Sequence, residues 1–156
     1  MAIEEGYPAP DFSLPDADGR PVTLSELRGQ PVVIYFYPKD ETPGCTKEAC
    51  AFRDIWDELR TAGATVLGIS PDDASSHQRF RARHELPFTL LSDPEKEVMS
   101  VYGAWGEKNL YGRKGMGVIR STVLVDGEGL VHKHWRRVNK AADHPHKVLE
   151  AVQKLS

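Results

Sequence analysis

The 156-residue chain has only two cysteines, Cys45 and Cys50, and no Cys-x-x-Cys pair. The dithiol spacing of disulfide oxidoreductases is therefore missing. Two cysteines five positions apart with scattered histidines do not give the usual zinc-ligand spacing either. There is no excess of basic residues: the formal net charge is −3, which argues against a nucleic-acid footprint. No apolar run reaches membrane-spanning length. The opening Met1–Pro8 lacks both a basic and an apolar leader region, so no signal peptide is expected. Without a secretory signal, two cysteines point to a reducing cytoplasm, where a disulfide is catalytic rather than structural. Apolar content is 40% and charged content 28%, as in a soluble globular protein. No repeat or linker interrupts the chain, and its length suits a single domain over residues 1–156.

What the chain does have is an unusual stretch around those cysteines. Pro31–Tyr37 is an apolar run of β-branched and aromatic residues that reads as a buried strand, Val32–Tyr37. Pro38 stops it. Asp40–Gly44, with Pro43 and Gly44, reads as a loop. A helix then runs from about Cys45 to Thr61, with Ala49, Phe52, Ile55, Trp56 and Leu59 at helical spacing. Cys45 falls in its first turn, where unpaired backbone N–H groups and the helix dipole stabilise an anion, and so a thiolate. Flanked by Gly44 and Thr46 at a helix start, Cys45 is not expected deep in the core. Cys50, beside Ala49, could equally fill core space.

The remaining elements follow in order. Phe12–Leu14 and Val22–Leu24 flank a turn at Asp16–Gly19 and predict a small hairpin. Ser25–Arg28 reads as one helical turn stopped by Gly29. Ala64–Ser70 is a second buried strand. Asp72 or Asp73 caps a polar helix that runs to about His84. Phe88–Leu91 is a short strand, and Asp93 caps a helix with Pro94 at its first position. Tyr102–Met116, rich in Gly and Lys, reads as a long mobile connection. Val118–Val125 and Leu130–Trp135 form a second hairpin. A C-terminal helix presents Val148, Leu149, Val152 and Leu155. Strands alternating with helices argue for an α/β protein. His77, His84, His132, His134, His144 and His146 are read as surface residues; His132 and His134 share a strand face but lack a third metal ligand.

The pattern Pro38-x-x-x-Thr42-x-x-Cys45 resembles the peroxidatic-cysteine motif of peroxiredoxins. With Thr46-x-Glu48-Ala49-Cys50 following, the segment resembles the bacterioferritin comigratory protein, or peroxiredoxin Q, branch. Asp11-Phe12, Gly68-Ile69-Ser70, Trp105–Lys108 and Arg120-Ser121-Thr122 extend the likeness over almost the whole chain. The resemblance implies a thioredoxin-like fold with an N-terminal β-hairpin and a central mixed sheet flanked by helices. It also implies a thiol peroxidase, with Cys45 peroxidatic and Cys50 resolving, joined in an intramolecular disulfide. No haem, flavin or metal is expected. The implied partners are a peroxide and thioredoxin or a similar dithiol reductant, and the branch is often monomeric.

Arg120 interrupts an apolar strand, and alternation places it on the face of Val118, Thr122 and Leu124. By itself it reads as half of a salt bridge; the resemblance makes it the active-site arginine. Thr42 has a hydroxyl able to bond thiolate and peroxide, or to cap a turn. Pro38 shields the sulfur and shapes the loop, or merely ends the strand. Glu48, three residues after Cys45, lies on its side of the helix; it is either a partner for Arg120 or an ordinary first-turn glutamate. Two other readings stand beside the peroxidase: a general disulfide reductase, and a non-catalytic binding domain with both cysteines in its core.

Overall fold

The computed structural model describes residues 3–110 and 112–155. Strand β1 (Ser13–Pro15) pairs antiparallel with β2 (Pro21–Thr23) as the first hairpin. The Asp16 carboxylate closes its turn by accepting from the amides of Asp18 and Arg20, each at 2.9 Å. A single 3-10 turn, Leu24–Leu27, follows. The buried run becomes β3 (Val32–Phe36), followed by α1 (Pro43–Asp54), α2 (Trp56–Thr61) and β4 (Thr65–Ser70). Next come α3 (Ala74–His84), β5 (Thr89–Ser92) and the short α4 (Glu97–Val101). The chain ends with β6 (Trp105–Leu110), β7 (Arg113–Val118), β8 (Ser121–Val125), β9 (Val131–Trp135) and α5 (His144–Gln153).

The central sheet has five strands in the order β5-β4-β3-β8-β9. β3 runs parallel to β4 and antiparallel to β8, so the sheet is mixed, as expected. β3 is buried on both faces, and its period of two divides the core. Val33, Tyr35 and Tyr37 pack with Ala49, Phe52 and Leu59 of α1 and α2 and with Val148 and Val152 of α5. Val32, Ile34 and Phe36 pack on the other side with Met99, Tyr102 and Val123. Each such side chain contributes about 1.5–3 kcal/mol by leaving water. Under α1 the packing is largely aromatic: Tyr35 stacks on Phe52 at 4.8 Å and on Tyr37 at 5.4 Å between ring centroids.

Several expectations need correction. The segment Tyr102–Met116 is not a connection without structure: β6 and β7 form an antiparallel ribbon from Trp105↔Val118 to Leu110↔Arg113. Tyr111 lies outside the described residues; Gly112 beside it takes φ +81, a conformation that glycine adopts without strain. This ribbon is mostly polar, so it lacks the apolar alternation by which strands are recognised. It is anchored at its base, where Ile119 N–H donates to Ala104 O at 2.7 Å and Lys96 lies over the Trp105 ring at 5.1 Å. The predicted Cys45–Thr61 helix begins at Pro43 and is interrupted at Ile55 (φ −109, ψ 15). Ile55 stays buried, so the break lets both segments keep an apolar face inward. The helix after Asp93 begins at Glu97 rather than Pro94, because Lys96 turns the chain at φ 58; Asp93 Oδ2 still accepts from Met99 N–H at 2.9 Å. The predicted strand Val118–Val125 is two strands, and Arg120 sits between them.

Candidate active site

Cys45 is the third residue of α1. Thr42, with extended backbone (φ −81, ψ 153), is the N-cap residue, and Pro43 takes the first helical position. Thr46 N–H donates to Thr42 O at 2.9 Å, closing the first turn. The amides of Gly44 and Cys45 therefore have no carbonyl one turn back and add to the positive end of the helix dipole. Contrary to the sequence expectation, Cys45 is 1% exposed and belongs to the core facing Tyr35 and Phe52. Pro43 and Lys47 beside it are exposed, so the first turn of α1 is at the surface and only its Cys45 side chain points into the core. Cys50 is half-buried on the same helix, and the two thiols are not bridged.

Arg120 reaches this turn from the link between β7 and β8. Its Nη2 donates to Cys45 Sγ at 3.2 Å and its Nη1 to Glu48 Oε1 at 2.6 Å. One guanidinium fork thus holds the sulfur and the carboxyl together. Because Arg120 is not within a strand, alternation does not set its direction. The link is fixed by its backbone, with Val138 N–H donating to Arg120 O at 2.8 Å. Gly44 makes room for it: a Cβ there would stand 3.2 Å from Arg120 Nη2. Sequence reading took Gly44 only for a loop breaker.

Glu48 is fully buried, with one carboxyl oxygen, Oε2, lacking a hydrogen-bond partner. Burial outweighs the charge and hydrogen bond of Arg120 and pushes its pKa up to about 7. The unfolded chain releases this proton near 4.5 and the folded protein near 7. The folded state therefore holds the extra proton between these values, and stability falls as pH rises through that window, by roughly 3 kcal/mol in all. Glu48→Gln should abolish this slope. Thermal midpoints of both proteins from pH 4 to 8 would check it, and parallel curves would contradict the burial cause.

The Thr42 hydroxyl donates to Lys39 O at 2.8 Å, the turn-capping contact, which leaves its lone pairs as acceptors. Pro38 is half-buried just beyond β3. The surface reading of the histidines fails fully at two positions and in part at His134, whose two ring nitrogens are buried without a hydrogen-bond partner. His77 is 0% exposed, bonded through Nδ1 to Asp40 Oδ2 at 2.7 Å and through Nε2 to Leu91 O at 3.0 Å. His144 is buried against Trp135, with Nε2 2.8 Å from the buried Thr122 Oγ1. Desolvation pushes its pKa down to about 4, so it is neutral at physiological pH. Polar α3 carries no sequence signal that His77 points inward, since its partner Asp40 is 37 residues away. Tyr35 was read only as strand core. Its hydroxyl is buried without a partner, over Gly68, where a Cβ would come within 2.9 Å of it. Among the described residues no group of three or more His, Cys, Asp or Glu could hold a metal ion, and no helix is long and apolar enough to cross a membrane.

The AhpC/TSA family model matches residues 6–134. Peroxiredoxin Bcp of Bacillus subtilis (strain 168) is 43% identical over 156 residues, covering 100% of this chain and 99% of that protein. The chloroplastic peroxiredoxin Q of Oryza sativa subsp. japonica is 44% identical over 153 residues, covering 98% of this chain and 68% of that protein. Among solved structures, the bacterioferritin comigratory protein of Xanthomonas campestris superposes with a TM-score of 0.90 at 37% identity, covering 97% of this chain and 99% of that one. That protein was captured in trapped intermediate/ligand complexes and is described as having alkyl peroxide reduction activity. The mixed sheet with flanking helices is accordingly the thioredoxin-like fold of these proteins. The matches over nearly the whole length establish that the chain belongs to the AhpC/TSA family, as a peroxidase of its bacterioferritin comigratory protein/peroxiredoxin Q branch.

Proposed function

We propose that the chain reduces hydrogen peroxide and organic hydroperoxides through Cys45. The contact that carries this reading is Arg120 Nη2 at 3.2 Å from Cys45 Sγ, at the positive end of α1. The thiolate attacks the terminal peroxide oxygen and the O–O bond breaks. With one proton taken up, the products are an alcohol or water and a Cys45 sulfenic acid. Thr42 orients the peroxide by accepting its O–H, and Pro38 keeps water from the sulfur. The Cys50 thiol then condenses with the sulfenic acid, releasing water and forming a Cys45–Cys50 disulfide. A dithiol reductant of the thioredoxin type restores both thiols in the cytoplasm, and the enzyme works as a monomer.

The test is peroxide-dependent oxidation of reduced thioredoxin. Wild type should turn over and Cys45→Ser should be silent; turnover by Cys45→Ser would defeat the reading. Reduction of insulin disulfides without peroxide consumption would instead favour a general disulfide reductase.

The disulfide also requires movement. Five residues along one helix put two Cα atoms about 8–9 Å apart and roughly 140° around the axis. A disulfide needs a Cα separation of about 4.4–6.8 Å. Both cysteines lie within α1, so its first turns must unwind after each peroxide is reduced. On oxidation, amides from Thr46 to about Arg53 should lose hydrogen-exchange protection, and mass spectrometry should find the Cys45–Cys50 link. The link with unchanged protection would contradict the geometry. A persistent sulfenic acid would make this a one-cysteine peroxidase.

A further inference from the structure

A buried polar cluster separate from the Arg120 contacts surrounds Asp40, in the loop between β3 and α1. Asp40 is 4% exposed, and neither it nor His77 bonds to Cys45, Glu48 or Arg120. Its polar atoms are engaged by Tyr37 at the start of the loop and by residues beyond it. Oδ1 accepts from the Tyr37 hydroxyl at 2.6 Å and Oδ2 from Ser76 Oγ at 2.8 Å. Its amide donates to Asp72 Oδ2 at 2.7 Å, and Asp72 is itself held by Ser70 Oγ at 2.8 Å. His77 completes the set. Leu91 O can only accept, so Nε2 carries a hydrogen. Nδ1 stands 2.7 Å from Asp40 Oδ2 and closes the cluster on that side. A carboxyl this deeply buried survives only with such partners.

The next residue, Glu41, has a left-handed backbone (φ 67), an unfavourable conformation for a non-glycine residue. It too is tied to α3, by Arg83 at 3.1 Å and His84 at 3.5 Å. Those outer pairs are solvent-exposed and weak, so the buried pair does most of the holding. Among the described residues no side-chain hydrogen bond joins Thr42–Phe52 to α3; the next tie is at the far end of α1, where Arg53 Nη1 donates to His84 O at 2.9 Å.

We propose that Asp40 and His77 are positioning residues for the peroxide step, clamping the loop before Cys45 to α3 so that Thr42 and Cys45 face the peroxide together. This rests on the peroxidase chemistry assigned above to Cys45. The clamp also sets where α1 unwinds: the loop up to Glu41 stays in place while the helix opens beyond it.

The experiment compares two rates of Cys45, with hydrogen peroxide and with iodoacetamide, in wild type, His77→Leu, Asp40→Asn, His77→Asn and Ser76→Ala, alongside thermal midpoints. His77→Leu and Asp40→Asn should lose on the order of 10- to 100-fold in the peroxide rate, the scale of a misplaced reacting group. Their alkylation rate should hold or rise, because Cys45, 1% exposed, becomes more accessible when the loop loosens. Ser76→Ala, which removes one bond at the edge of the cluster, should lose about 5-fold. His77→Asn, whose amide replaces the Nδ1 contact, should recover part of the loss. Should His77→Leu fail to fold, Ser76→Ala and His77→Asn still decide the question. Both rates falling in step with the thermal midpoint would reduce the cluster to a structural role, and unchanged peroxide rates would also overturn the proposal. Cys45→Ser in the same assay separates the two readings: if it is silent while the clamp variants match wild type, only the clamp fails.

Discussion

Replacing Arg120 by methionine should slow the reaction of Cys45 with peroxide by a factor on the order of 10²–10³, the range seen when a donor to a developing charge is removed. The fold should survive, since Arg120 lies in a link between strands that a main-chain bond from Val138 N–H to Arg120 O holds whatever the side chain. Two losses combine. The sulfur loses the Nη2 donor at 3.2 Å, and Glu48 loses the Nη1 donor at 2.6 Å. Arg120 holds the Glu48 pKa down against burial, so removing it should carry that value above about 7 and leave the carboxyl neutral at physiological pH. Arg120→Lys should fall between, because a single ammonium cannot span sulfur and carboxyl as a planar fork does. Adding Glu48→Gln to Arg120→Met removes the buried acid and should restore thermal stability without restoring the rate. Stopped-flow kinetics beside melting curves would check this. A peroxide rate for Arg120→Met within a few-fold of wild type would show that the contact is only a salt bridge.

Thr42→Val should have the next largest effect, on the order of 10²-fold in the peroxide rate. The Thr42 hydroxyl donates to Lys39 O at 2.8 Å, so on the proposed mechanism it would meet the peroxide as an acceptor. Valine keeps the β-branched shape and the extended N-cap backbone but supplies no oxygen. Loss of the Lys39 contact alone would cost about 1 kcal/mol of stability, which is too little to account for such a rate change. Thr42→Ser keeps the oxygen and should retain much of the rate. If serine and valine variants react alike, the hydroxyl serves only the turn.

The two buried strands around the motif were legible because each is a short run of apolar, largely β-branched or aromatic residues. The helix faces at Phe52, Leu59, Val148 and Val152 were legible because their spacing matches the helical period. The β6–β7 ribbon was not legible. Its residues are polar and glycine-rich, and its strand state comes from pairing with each other and from anchoring at Trp105 and Val118. Within the site, Thr42, Cys45, Glu48 and Cys50 follow one another along eight or so residues, so local geometry alone orders them. Arg120 was visible as a charge in an apolar segment, but alternation gave the wrong reason for its direction. It leaves the strand pattern at the β7–β8 link, and its seat depends on Gly44 having no Cβ.

The sequence by itself determined the peroxidatic segment, the strand and helix that frame it, and the candidacy of Arg120, because those features depend on local spacing and residue type. It also set the conflict between one regular helix and a Cys45–Cys50 bond, which is helical geometry. Only the tertiary structure decided how deeply Cys45 is buried, that Glu48 is enclosed, and which partners His77 and His144 meet. Burial is a property of what packs above a residue, and for these side chains it comes from elements distant in sequence. The pairing of His77 with Asp40 spans 37 residues, and that of His144 with Thr122 spans 22. In α5 the helical period does place His144 on the face of buried Val148, Ala151 and Val152, but it names no partner; in polar α3 a histidine looks the same whether water or a buried carboxyl waits for it.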